Sequence, residues 1–223
     1  VVRISAQARE LTRTRLLQSA ASAFARDGLV RANINAISLD AGLAKGTVYN
    51  YFPSKEALFA AVVEEACRRT AADSDDPGPG TPTRERLRAL VRADVAWAAE
   101  HEPFARVLVR EVFSGEPELY ARVVEAAAPY VGRVVEVLRD GVDRGEVGVD
   151  RPVEQLALVF TGFGLLALAQ HWGSGNTWPA LDEIPDLVVD VFVDGVGSPT
   201  VEVPRRRLAR TQRAQGGRAS DGR

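Results

Sequence analysis

Apolar positions along the chain recur at helical spacing, and no stretch alternates as a half-buried strand does. Leu16, Leu17, Ala20 and Phe24 form a first stripe. It stops at Gly28, a residue suited to the position after a helix end. A short second helix is predicted after Asn33, a good N-cap, with Ile34, Ile37 and Ala41 on one side. Gly42 breaks it. A third helix is predicted from about Ala44 to Phe52, closed by Pro53. Ser54 caps a fourth, through Leu58, Phe59, Val62 and Ala66. The stretch DSDDPGPGTPT, residues 73–83, has the composition of a linker or exposed loop. Longer helical patterns follow: 84–101, one after Pro103, 117–145 with a kink expected at Pro129, and one after Asp150. A final, separate helix carries Ile184, Leu187, Val188, Val191 and Phe192 on one face and Asp186, Asp190 and Asp194 on another. The fold class is all-α.

One segment, LALVFTGFGLLALA at 156–169, is apolar nearly all round. At 14 residues it falls short of the ~20 that a bilayer requires, so no membrane span is expected. A helix apolar on every side must be buried on every side. One face is therefore expected to meet its own bundle and the other a second copy of the chain, with Gly162 and Gly164 allowing close approach.

Charge divides the molecule. The net charge is −2, but residues 1–55 carry eight basic against three acidic side chains, residues 56–197 carry 13 against 25, and residues 198–223 carry seven against two. A basic head on an acidic body suits a polyanion at the head alone. The expected organisation is a head over 1–55, a helical body over 56–197 and a basic, disordered tail over 198–223. Tail arginines such as Arg205 and Arg210 either add non-specific attraction to DNA or are simply solvated. The single cysteine, Cys67, forbids an intrachain disulfide and suits a reducing cytoplasm, and no secretory signal pattern opens the sequence.

The only two lysines, Lys45 and Lys55, bracket the stretch AKGTVYNYFPSK. Two short helices joined by Ala41-Gly42-Leu43 make a helix-turn-helix pattern, whose second helix enters the major groove. At ~100° per residue, Lys45, Gly46, Tyr49 and Asn50 share one arc, with Val48 turned inward. Gly46 lets the backbone approach a nucleic-acid strand, Thr47, Tyr49 and Tyr51 bring hydroxyls to phosphates, and Asn50 and Lys45 reach phosphates or base edges. Lys55, at the first turn of the fourth helix, is expected to act as a phosphate clamp.

The run Phe24, Gly28, Ile34, Ile37, Ala41-Gly42-Leu43, Gly46-Thr47-Val48-Tyr49-Asn50-Tyr51-Phe52 and Lys55-Glu56-x-Leu58 resembles the TetR-type transcriptional regulators over residues 12–62. It departs from that pattern at Ala32-Asn33, where Thr-Thr/Ser is usual, at Ser38, which replaces a packing alanine, and at Ala44, which replaces a Ser/Thr cap. The resemblance implies an N-terminal helix-turn-helix head followed by a helical-bundle domain for ligand binding and dimerisation. It implies a homodimer on a palindromic DNA operator, most often a repressor released by a small-molecule effector. By position, it carries DNA contact over to Asn33, Asn35, Lys45, Gly46, Thr47, Tyr49, Asn50, Tyr51 and Lys55.

An effector pocket of that kind is expected to be apolar with few polar groups. Trp97, Phe104, Phe113, Tyr120, Tyr130, Phe163 and Trp172 are candidates to shape it, with His101 and His171 beside them, and a compound of apolar or aromatic character is expected in it. Two distant histidines and one cysteine give no metal-ligand spacing, so no metal is expected. Cys67 reads as an apolar filler rather than a redox sensor, since no second cysteine can resolve it. No phosphate loop or nucleophile elbow is present, so neither catalysis nor a cofactor is expected. The alternatives are a helical-bundle small-molecule-binding protein, or an activator without ligand-induced release.

Overall fold

The computed structural model describes residues 6–72, 76–148 and 151–196. The tail expected over 198–223 lies outside them. Among the described residues there are eight α-helices, one 3₁₀ turn and no strand: α1 (Ala6–Arg31), α2 (Ile34–Asp40), the 3₁₀ turn (Thr47–Asn50), α3 (Lys55–Ala72), α4 (Thr83–Glu100), α5 (Glu102–Val112), α6 (Pro117–Asp143), α7 (Val153–Gly173) and α8 (Ile184–Val196).

α1 bends where the sequence placed its end. Gly28 takes φ 71°, ψ 171°, and one more turn runs on to Arg31. α1 packs on α3 and α5, and the rings of Phe24 and Phe59 meet edge to face at 5.2 Å. The buried core is continuous from Leu16 in α1 to Phe192 in α8. α3, which follows the helix-turn-helix, lies against α6 as well as α1 and so belongs to both parts of the molecule.

Part of the stretch read as a linker is anchored. Arg86, buried on α4, places its guanidinium between Asp76, at 2.7 Å, and Asp140 of α6. Its fork geometry meets Asp76 with two parallel bonds, which holds the Asp76 carboxyl below its usual range. A second set of ion pairs joins α4 to α8: Arg84 reaches Asp190 and Asp194, and Arg88 reaches Asp186 and Asp190. The acidic face seen in the last helix is therefore turned toward α4.

α6 runs through Pro129 as one helix. α7 is longer than its apolar segment suggested. At 21 residues it is, among the described residues, the one helix long and apolar enough to cross a bilayer by length and composition, a test that a core helix also passes. Its inward side buries Leu156, Ala157, Phe160, Ala167 and Leu168, while Leu158, Val159 and Leu166 remain 42–48% exposed.

Candidate nucleic-acid interface and internal cavity

α2 begins as expected. The Asn33 side-chain oxygen accepts from the N–H groups of Asn35 (2.9 Å) and Ala36 (3.3 Å), which fulfils the N-cap role. Ile37 and Ser38 are buried beneath it, and the Ser38 hydroxyl has no hydrogen-bond partner. An alanine there would leave no such hydroxyl.

The expected third α-helix is a 3₁₀ turn of four residues. Ala44 offers no side-chain cap, Gly46 sits at φ 78°, ψ −6° just before the turn, and Pro53 follows closely. Helical geometry therefore has only Thr47 to Asn50 in which to persist. At ~120° per residue, Thr47 and Asn50 lie on one side, Tyr49 on another and Val48 inward. Val48 is 1% exposed and Tyr49 54%. The single arc expected from α-helical spacing is thus replaced by two faces, and Lys45 and Gly46 precede the turn instead of lying within it.

Asn33, Asn35, Lys45, Tyr49 and Asn50 are exposed, while Gly46, Thr47, Tyr51 and Lys55 are half-buried. Arg9 of α1 lies over the Tyr51 ring at 5.4 Å and Arg13 over Phe52 at 5.6 Å, so α1 adds two cations to this face. Neither arginine stands out in the sequence, because the contact joins positions about forty residues apart. Lys55 points back into the head. Its ammonium donates to the carbonyl oxygens of Val30 (2.8 Å) and Ala32 (3.5 Å), closing the α1–α2 junction.

Deeper in the molecule, a cavity of about 80 Å³ lies among α3 to α8. Cys67 of α3, Val91, Val95, Trp97 and Ala98 of α4, Ala105 and Leu108 of α5, Val123, Ala127 and Tyr130 of α6, Phe160, Leu165 and Leu168 of α7 and Ile184 of α8 supply a largely apolar wall. Asp94 and Thr161 interrupt it. Thr161 spends its hydroxyl on the Ala157 carbonyl at 2.9 Å. Asp94 accepts a hydrogen bond from the Tyr130 hydroxyl through one carboxylate oxygen. Burial pushes the Asp94 carboxyl up to about 7, although the Tyr130 bond and the charge of Arg133 pull the other way. Burial, then the neighbouring Asp94, raises the Tyr130 phenol well above its usual range. The Cys67 thiol, buried in the wall, is pushed up to about 12, which makes it an inert filler.

These two features, a helix-turn-helix head and a helical body around a cavity, have counterparts among known proteins. The pattern described as "Bacterial regulatory proteins, tetR family" matches residues 16–62, and that described as "Tetracyclin repressor-like, C-terminal domain" matches residues 80–196. The chain belongs to the TetR family. It is a DNA-binding transcriptional regulator of the repressor type, with a ligand-binding C-terminal domain. It is 25% identical over 169 residues to the HTH-type transcriptional regulator SrpR of Pseudomonas putida, covering 74% of this chain and 78% of that protein. It is 25% identical over 181 residues to the HTH-type transcriptional repressor AcnR of Corynebacterium efficiens, covering 79% and 90%. In fold it is similar to the transcriptional regulator FadR from Bacillus subtilis in complex with stearoyl-CoA, with a TM-score of 0.72, 18% identity, and 82% and 98% of the two chains covered.

Of the nine side chains expected at the effector pocket of this TetR-family protein, Trp97 and Tyr130 lie on the cavity wall. His101 stacks on Trp97 with ring centroids 5.4 Å apart, and Phe104 is buried beside α5's other core residues. Phe113 and Tyr120 are exposed, at 53% and 47%. His171 is buried with Nδ1 2.8 Å from the Pro179 carbonyl oxygen, and Trp172 lies under the Arg106 guanidinium at 4.6 Å. Phe163 belongs to a separate apolar groove between α7 and α8, shared with Leu166, Trp178, Leu187 and Val191. Gly164 lines the internal cavity instead of an outer contact, and only Gly162 falls with the exposed stripe. Asp94 escaped the sequence reading because a lone aspartate among Arg92, Glu100 and alanines looks like part of a solvated helix face.

Proposed function

We propose that the protein is a homodimeric repressor that grips a palindromic operator with both heads and lets go when a small apolar molecule enters the cavity. The carrying observation is which helices wall that cavity. α3 and α5 contribute Cys67, Ala105 and Leu108 to it, and the same two helices pack on α1 of the head. α5 also sets Arg110 against the bend in α1, so closely that a Cβ on Gly28 would stand 2.6 Å from the guanidinium. A molecule that shifts α3 or α5 therefore moves the head. Its effect on operator affinity equals its differential affinity for the gripping and released states.

At the operator, Lys45, Tyr49 and Asn50 read the major groove, and Asn33, Asn35, Thr47 and Tyr51 hold phosphates. Gly46 permits close backbone approach. Lys55 keeps the α1–α2 junction in place and has donor capacity left for a phosphate. Leu166 of α7 and Leu187 and Val191 of α8 share an outer apolar groove, with Leu158 and Val159 exposed further along α7, and a second copy covers this side by twofold symmetry. That symmetry sets two recognition turns about 34–36 Å apart or somewhat more.

Footprinting on the DNA upstream of the protein's own gene, with light scattering on the same sample, tests this. The expected result is a dimeric mass and two dyad-related protected half-sites. Leu166→Glu places a charge in the outer surface, so a monomeric mass and loss of the footprint are expected with the fold intact. A monomeric wild type, or protection of a single half-site, contradicts the proposal.

A further inference from the structure

The cavity is apolar except at one place, and that place is under-used. Asp94 accepts from Tyr130 through Oδ2, while among the described residues Oδ1 has no hydrogen bond. A carboxylate beside an apolar space carries a desolvation cost that a cation or a strong donor relieves. The wall also holds a buried donor. Trp97 is 6% exposed and its indole N–H has no partner.

We propose that the effector is a small apolar amine whose ammonium group binds the free oxygen of Asp94, with its apolar body against Trp97, Phe160 and Leu168. This rests on the reading of the cavity as the effector site. The chemistry follows from the sign of the groups around it. Asp94 is the one carboxylate on the wall, and the charged and titratable groups that face it are Tyr130 and Arg133 of α6 and Cys67 of α3. α5, α7 and α8 offer it only apolar side chains, Thr161 and Gly164. The Arg133 charge lowers the Asp94 carboxyl, but by less than burial raises it. An acid would bring a second negative charge to the same spot, whereas an uncharged alcohol gains only a neutral hydrogen bond. The aromatic wall adds attraction for a cation.

The test uses isothermal titration calorimetry on the full chain with phenethylamine, phenethyl alcohol and phenylacetate as probes. At about pH 8 the amine is expected to bind at least about tenfold more tightly than the other two. Its affinity should fall roughly tenfold at about pH 6, as Asp94 becomes protonated. Asp94→Asn, which keeps the Tyr130 bond and the shape, should remove the amine's advantage and leave the alcohol's affinity nearly unchanged. Gly164→Leu, whose new side chain would enter open cavity space, should abolish binding of all three. If the alcohol or acid binds as tightly as the amine, or Asp94→Asn keeps the preference, the amine assignment is overturned while the cavity stands. If no probe binds, or the amine still binds to Gly164→Leu, the proposal and the cavity reading fall together.

Discussion

Burial raises the Asp94 carboxyl from its ordinary value of 3.8 to about 7, so the folded protein prefers it protonated while the unfolded chain does not. By linkage, the stability this confers is fully present below the unfolded value and is lost as pH rises through the folded one. The wild type should therefore lose stability between about pH 4 and pH 7, by at most about 4 kcal/mol before relaxation and cavity water reduce it. Asp94→Asn cannot ionise and still accepts from Tyr130. Urea denaturation at a series of pH values should show the variant more stable than wild type near pH 8, with the advantage gone near pH 4. A variant less stable at both ends would mean that Asp94 is a structural anchor. At this scale the sequence was partly legible. Trp97 and Tyr130 announce a pocket by size and polarity, but the bond from Tyr130 to Asp94 joins two helices whose docking no local pattern encodes. Lys55 reads in the sequence as a phosphate clamp, whereas its bonds to Val30 and Ala32 depend on how α3 returns to α1.

Most helices were legible as elements because a 3.6-residue period survives in them, α7 by its apolar run instead, and the caps at Asn33 and Ser54 stand where the pattern put them. The recognition element was not, because nine residues between two turn signals fit an α-helix and a 3₁₀ turn equally well. Its form hangs on Gly46, at φ 78°, with nothing within 4 Å of where a Cβ would be. Gly46→Ala should therefore cost backbone strain of about 1–2 kcal/mol and no clash. Gly46→Asn, whose side chain tolerates the left-handed region, should keep most of the stability. If the glycine also admits a DNA strand, Gly46→Asn should lose operator affinity despite folding well, as read by melting temperature and gel shift together. Full operator affinity in Gly46→Asn would limit the glycine to a conformational role. The glycines of α7 carry a related lesson. Periodicity shows that Gly162 and Gly164 sit on different sides of one helix, but not which side faces the cavity; the docking of α6 and α8 decides that.

In the whole molecule, the charge division into a basic head and an acidic body pointed to a polyanion at the head, and the helix-turn-helix motif led to the TetR family. What the sequence hid was continuity: α3 and α5 belong at once to the head's support and to the cavity wall. In the proposed function, this shared wall couples the cavity to DNA. The most direct measurement is the affinity for a fluorescent duplex of the footprinted operator, read by anisotropy, with and without a saturating compound that binds wild type but not Gly164→Leu. Operator affinity should drop at least about tenfold, and operator DNA should weaken binding of the compound by the same factor, as reciprocal linkage requires. Unchanged operator affinity with the cavity demonstrably full would contradict the account.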